Sequence, residues 1–436
     1  MRFTSLLPIS FILFIISIIS IPDQAFALSC RDHYYPFTHK SSKKVSCAIT
    51  EKQEFDQIKS SSNATALAPN KAFIIDFHCG VNNATLCAQA QSAFNAVGVR
   101  IASVIQFNTP LRVNATFTNF CTALGECPTP GGGLILGSAS PARTIPLQDS
   151  DGVIRYYPQA LVKQMQLPNH PSFGPYDITA FFNTQANMFF QGDSTIQSDQ
   201  FDFEYIVTHE FIHGLGFASS WRNYLTDTPI LLTPLPDFLN DVTSDNSPVD
   251  FTGFDELAFD RYMQLTEPGK APVMMTSLTK KINSFTKIGT QFATANDLLN
   301  TFANSPQFNL SQQLMFDAET PHTMSFLTNS NDSVTLETKL NPFEDGSSVS
   351  HVDTLYKSTS DFLMAFSAFN GVTLDEVISK TNGTSALGPN LLKVLETLGI
   401  DLMAIRVITV PLEFQNGASF IWEEITRDGI WEKWST

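Results

Sequence analysis

His209-Glu210-Phe211-Ile212-His213-Gly214-Leu215-Gly216-Phe217 is the stretch on which the reading of this chain turns. Residues four apart on an α-helix lie one above the other on one face, so His209 and His213 can aim both imidazoles at one ion. Glu210 sits about 100° further round, close enough to touch a water on that ion without ligating it. The residues from Ser198 to Gly214 predict one helix. Asp199 and Asp202 suit its N-terminal dipole, Gly214 and Gly216 stop it, and Phe203, Ile206, Val207 and Phe211 would face a core. With eight histidines in 436 residues, chance seldom produces this spacing.

Catalytic zinc takes three protein ligands and keeps a fourth position for water. His209 and His213 give two, and Glu210 is placed to act as general base. Gly216 lets the chain leave the helix abruptly, in a conformation that tolerates positive φ. This pattern resembles the metzincin proteases, whose motif runs His-Glu-x-x-His-x-x-Gly-x-x-His and is followed by a Met-turn. Where a compact metzincin has its third His, this chain has Ser219, a poor zinc ligand.

The leishmanolysin-like branch, whose third His stands far downstream, is the closer resemblance. Gly346-Ser-Ser-Val-Ser350-His351-Val-Asp353 is followed by Asp361-Phe-Leu-Met364, and Leu387-Gly-Pro-Asn-Leu-Leu-Lys-Val-Leu-Glu-Thr-Leu-Gly399 resembles that branch's closing helix. The resemblance covers about 71–220 and 341–400. It implies an α+β zincin with a twisted-sheet upper subdomain, an active-site helix and an irregular lower subdomain. It also implies zinc on His209, His213 and His351, with Met364 as an apolar floor. Rivals for the third ligand are Asp255, Glu256 and Asp260, since a carboxylate completes thermolysin-type sites. His322 is a weaker rival, and His33, His39, His78 and His170 have no supporting context. Asp353 is a candidate to orient a ligand, and Tyr356 is within reach of the site.

Around the motif the chain divides into blocks. Arg2, the apolar run Leu6–Ile21 and Ala25-Phe26-Ala27 make 1–27 a signal peptide. Residues 28–70 read as an extension or pro-like segment with little core. The upper catalytic block is 71–220, with helical spacing over Leu86–Val104 and strand alternation at Leu111, Val113, Ala115 and Phe117. Residues 128–146, rich in Gly and Pro, read as a loop. Residues 177–190 read as strand material able to pair with an extended substrate. Residues 221–340 form an insertion with short helical patches at 254–263 and 293–302. The lower block, 341–405, has a strand-like patch near 362–366 and a helix over 389–397. The tail is 406–436, and its beginning could add a strand.

Composition sets the setting. Six cysteines (Cys30, Cys47, Cys79, Cys87, Cys121, Cys127) outside the leader are expected as disulfides, and sequence neighbours suggest pairing in that order. Sequons stand at Asn63, Asn83, Asn114, Asn309, Asn331 and Asn382. The formal net charge of −16 repels phosphate backbones and anionic lipid, which argues against nucleic-acid or membrane-surface work. No segment after the leader reaches the apolar length of a membrane span. The expectation is a secreted, extracellular zinc metalloendopeptidase acting on protein or peptide substrates. Two alternatives stand beside it: a non-catalytic secreted zinc-binding glycoprotein or adhesion module, and a thermolysin-like peptidase with a carboxylate ligand.

Overall fold

Alternation of Leu111, Val113, Ala115 and Phe117 with polar residues does form a strand, whose apolar side is fully buried. The computed structural model to which it belongs describes residues 29–34, 42–47, 49–50, 67–128, 133–167, 170–236, 238–239, 247–403, 422–425 and 431–434. The leader, His39, Asn63 and the start of the tail lie outside these residues. Numbered along the chain, the strands around the site are β1 (Ser29–His33), β2 (Ser42–Ser46), β3 (Phe73–Cys79), β4 (Leu111–Thr118), β5 (Gly137–Pro141), β6 (Arg143–Gln148), β7 (Ile154–Pro158) and β8 (Ile178–Asn183).

A four-stranded sheet has the order β3-β4-β8-β5, parallel except for β5, which runs antiparallel to β8 at one edge. Helix α1 (Ala84–Ala102) joins β3 to β4, as a parallel pair requires. Helix α2 (Phe203–Gly214) packs on α1, β5 and β8. Phe94 of α1 sits at the centre, its ring 5.1 Å from Phe182 of β8 and 5.4 Å from Phe203 of α2. Such pairs contribute about 0.5–1.5 kcal/mol beyond their burial, so α2 is fixed on the sheet before any ion is considered. Its start differs from the expected Ser198. Asp202 accepts the Glu204 N–H (2.9 Å) as N-cap and the Leu374 N–H (2.6 Å), while Phe201–Asp202 bridges to Met188–Phe189 as a short strand.

Two expectations give way here. The Gly- and Pro-rich 128–146 is not all loop, because β5 and β6 form within it once the sheets supply partners. The 177–190 strand material becomes β8, but β8 lies between β4 and β5 with both edges paired. A substrate strand therefore has no access to it.

The second sheet has six strands. With β9 (Leu235–Pro236) and β10 (Phe254–Leu257), its order is β9-β10-β7-β6-β1-β2. Here the N-terminal block corrects its reading as a segment with little core. β1 lies between β6 and β2, Arg31 is buried, the Cys30–Cys47 disulfide is buried, and Arg143 grips Asp32 at 2.5 and 2.9 Å. Cys79–Cys87 and Cys121–Cys127 are the other disulfides, each joining sequence neighbours.

The inserted block has its own structure. The 254–263 patch is helical only in its second half: β10 is followed by a short 3-10 helix, Ala258–Tyr262, pinned by the Leu257 N–H on Asp260 at 2.7 Å. Beyond it β11 (Met263–Leu265), β12 (Val273–Met274), β13 (Met324–Leu327) and β14 (Ser333–Thr335) make an antiparallel sheet. Helices α3 (Met275–Asn283), α4 (Ala295–Ala303) and α5 (Pro306–Ala318) accompany it. In the last block the strand-like patch is a 3-10 turn, Phe362–Met364, and α6 (Leu374–Lys380) precedes α7 (Pro389–Thr397). The chain is thus α+β. Among the described residues no helix is long and apolar enough to cross a membrane.

Candidate metal centre

The helical spacing of His209 and His213 brings their Nε2 atoms to 3.1 Å from each other. His351, 138 residues beyond His213, brings its Nε2 to 3.1 Å from both. The other face of each ring explains what this triangle is. His209 Nδ1–H donates to the Leu363 carbonyl (2.7 Å), His213 Nδ1–H to the Phe217 carbonyl (2.7 Å) and His351 Nδ1–H to the Ser347 carbonyl (2.9 Å). A ring nitrogen facing a carbonyl must carry the proton, which leaves all three Nε2 atoms as lone pairs. Burial keeps the rings neutral. It lowers the His209 pKa to about 4 and that of His213 to about 3, and it holds His351 well below its usual value. Three lone pairs at this spacing repel one another unless a cation lies among them. Tetrahedral zinc with nitrogens at about 2.0–2.1 Å would set them roughly 3.3 Å apart, close to the spacing observed.

Local sequence makes each placement. Gly216 takes φ +115, which turns the chain back so that the Phe217 carbonyl meets His213. The segment that carries His351 is strapped by the Glu337 N–H on the His351 carbonyl, the Val349 N–H on the Glu337 carbonyl, and the Val352 N–H on the Met364 carbonyl, each at 2.9 Å. Val349 is held at φ +54, a strained conformation for a β-branched residue. Met364 is fully buried, in a turn that packs on α2 and lends the Leu363 carbonyl to His209.

Glu210 is buried beside the triangle, and burial pushes its carboxyl up to about 8, tempered by a hydrogen bond from the Ala139 backbone. It rests against Gly137 of β5, where an added Cβ would lie 3.0 Å from both its Cγ and its Oε1. Nothing in the sequence pattern singled out Gly137 or Ala139. A lone glycine opening the small-residue run 137–140 was the one available sign.

The rival ligands are engaged elsewhere. Glu256 takes Arg155 of β7 at 2.7 Å together with Thr276 and Thr279 of α3. Asp260 accepts from Ser219, Ser220 and Leu257, and Asp255 has Arg31 and Lys44 as its neighbouring cations. His322 pairs with Asp353 at 3.1 Å. Asp353 also takes Lys339 and the Leu355 N–H, so it does not orient His351, whose Nδ1 goes to Ser347. The Tyr356 hydroxyl accepts from the Thr335 N–H. His33 meets Thr144, His170 stacks on Phe173, and His78 is exposed. Among the described residues, His209, His213 and His351 form the one group of three or more such side chains close enough to hold a metal ion.

Comparison with known proteins adds a family. The SPBPB7E8-like family model matches residues 30–419, so the chain belongs to that family. An uncharacterized protein of Schizosaccharomyces pombe, PB7E8.01, is 29% identical over 377 residues, covering 77% of this chain. The chain spans 64% of that relative's length. No solved structure matches.

Proposed function

We propose that this member of the SPBPB7E8-like family is a secreted zinc-dependent endopeptidase of metzincin type. One observation carries the reading: three neutral imidazoles whose Nδ1 protons are all given to carbonyls point three bare Nε2 lone pairs at one spot, with a buried carboxyl beside it. The distant third histidine and the buried Met364 turn support the metzincin assignment over a thermolysin-like one, since the nearby carboxylates already have partners. The three disulfides suit an oxidising, extracellular setting.

Zinc, when bound, supplies Lewis acidity that lowers the pKa of a bound water toward about 7 and polarises a carbonyl. The chain's own residues do the rest. Glu210 accepts the proton of the attacking water and returns it to the leaving amine. A dication close by favours its ionised form and offsets the upward push of burial. Among the described residues β5 is the last strand of its sheet, and its outer edge is where an extended peptide can pair, next to Glu210.

A casein or peptide assay on the full chain, paired with zinc analysis, tests this. Glu210→Gln is expected to keep zinc while turnover falls about 10²–10⁴-fold, and chelation is expected to abolish turnover. Equal activity in wild type, Glu210→Gln and chelated protein would sink the proposal. Zinc without turnover in the wild type would favour a structural metal site.

A further inference from the structure

Ser219 stands where a compact site would carry its third ligand, and its two polar groups hold two different segments. Its hydroxyl donates to Asp260 Oδ1 at 2.7 Å, and its N–H donates to Ser350 Oγ at 3.2 Å. Asp260 belongs to the inserted block, and Ser350 immediately precedes His351. We propose that Ser219, Asp260 and Ser350 form a positioning clamp through which the inserted block sets the aim of His351. The proposal rests on reading His209, His213 and His351 as a metal site.

Several features make this junction rigid. Asp260 is 0% exposed, Ser219 1% and Ser350 2%, so water does not compete for these bonds. Asp260 also receives the Ser220 N–H at 3.1 Å and the Leu257 N–H at 2.7 Å, which fastens the post-helix turn to the 3-10 segment that follows β10. The Trp221 N–H donates to Ser219 Oγ at 3.1 Å, fixing that hydroxyl toward Asp260. Beside it the rings of Phe217 and Phe259 lie 5.0 Å apart, joining the same two segments through apolar contact. Phe217 is the residue whose carbonyl holds His213, so the post-helix turn serves two ligands at once.

The His351 segment also hangs on backbone straps from Glu337, at the end of the inserted block, and from Met364. The Ser219–Ser350 bond ties the residue next to His351 to the chain that leaves α2, and the Asn223 N–H on Asp345 Oδ1 at 3.2 Å is a second tie between the same stretches. Without it the Met364 turn and the Asn223–Asp345 bond keep the segment docked on α2, while the residue next to His351, and with it the aim of that ring, is less well set. Side chains that orient ligands indirectly change metal affinity by about 10–100-fold when removed.

The test is zinc affinity, measured by competition with a chromophoric chelator on the full chain, for Ser350→Ala, Ser219→Ala and Asp260→Asn. Each is expected to weaken zinc binding about 10–100-fold, and Ser350→Thr, which keeps the hydroxyl, is expected to stay near wild type. Thermal melts of the metal-free variants serve as the control. If Asp260→Asn does not fold, Ser350→Ala decides, since it removes a single hydroxyl. Wild-type zinc affinity in Ser350→Ala and Ser219→Ala, with lowered metal-free melting points, would reduce the clamp to a structural brace and overturn the proposal alone. A wild-type chain that takes up no zinc would overturn the proposed function and the clamp with it.

Discussion

Gly137 faces the Glu210 carboxyl with a hydrogen where any other residue would present a carbon. An added Cβ would stand 3.0 Å from Glu210 Cγ and Oε1 and 3.1 Å from Ile206 Cγ2, on the helix that bears the motif. Helix and strand are both packed on the same sheet, so the carboxyl has to give way first. Gly137→Ala is therefore expected to lower peptidase turnover about 10–100-fold, the cost of a displacement near 1 Å. Zinc content is expected to stay the same, because none of the three histidines touches that strand in its hydrogen bonding. Unchanged turnover in this variant would mean that Glu210 is not held as described. Isolated residues of this kind were not legible beforehand, since a glycine in a polar, proline-rich run is also what a loop contains.

At the scale of elements, the N-terminal hairpin is the instructive case. Its Lys- and Ser-rich sequence suggested a removable segment, yet β1 is an interior strand whose neighbours are β6 and β2. A polar strand can sit inside a sheet when its ladder is complete and its charges are paired, as Asp32 is with Arg143. Cutting away residues 28–70 is then expected to strip two strands, β1 and β2, from the six-stranded sheet and lower the melting point sharply, rather than release activity. Replacing Cys30 and Cys47 by Ser is the milder form, with an expected loss of about 2–4 kcal/mol in urea unfolding. An unchanged unfolding midpoint for either protein would return the hairpin to the status of an appendage.

For the whole molecule, the site joins two distant stretches of chain. His209 and His213 come from α2 and His351 from a segment 138 residues later, with the inserted block lying between them in sequence. An ion held by all three bridges both stretches in the folded state alone. Binding at a thousandfold excess over Kd adds about 4 kcal/mol, so chelation is expected to lower the melting point by several degrees. His351→Ala is expected to melt lower than the loaded wild type and to respond little to chelator. A wild-type melting curve indifferent to chelator would show that no ion bridges the two stretches.

The sequence by itself determined what local geometry can encode. The four-residue spacing put His209 and His213 on one face of a helix, the glycine at 216 fixed the abrupt exit, alternation gave β4, and neighbouring cysteines gave the disulfides. Only the tertiary structure decided the rest. His351 stands with His209 and His213 where Asp255, Glu256 and Asp260 do not, because those carboxylates face other partners (Arg31 and Lys44 near Asp255, Arg155 of β7 on Glu256, Ser219 and Ser220 on Asp260), which no spacing rule reports. The ring tautomers depended on carbonyls at Leu363, Phe217 and Ser347, one of them more than a hundred residues away in the chain. The edge beside Glu210 fell to β5 because strand pairing is non-local: period-2 alternation says which face of a strand is buried, and the partners alone say which strand lies at the edge.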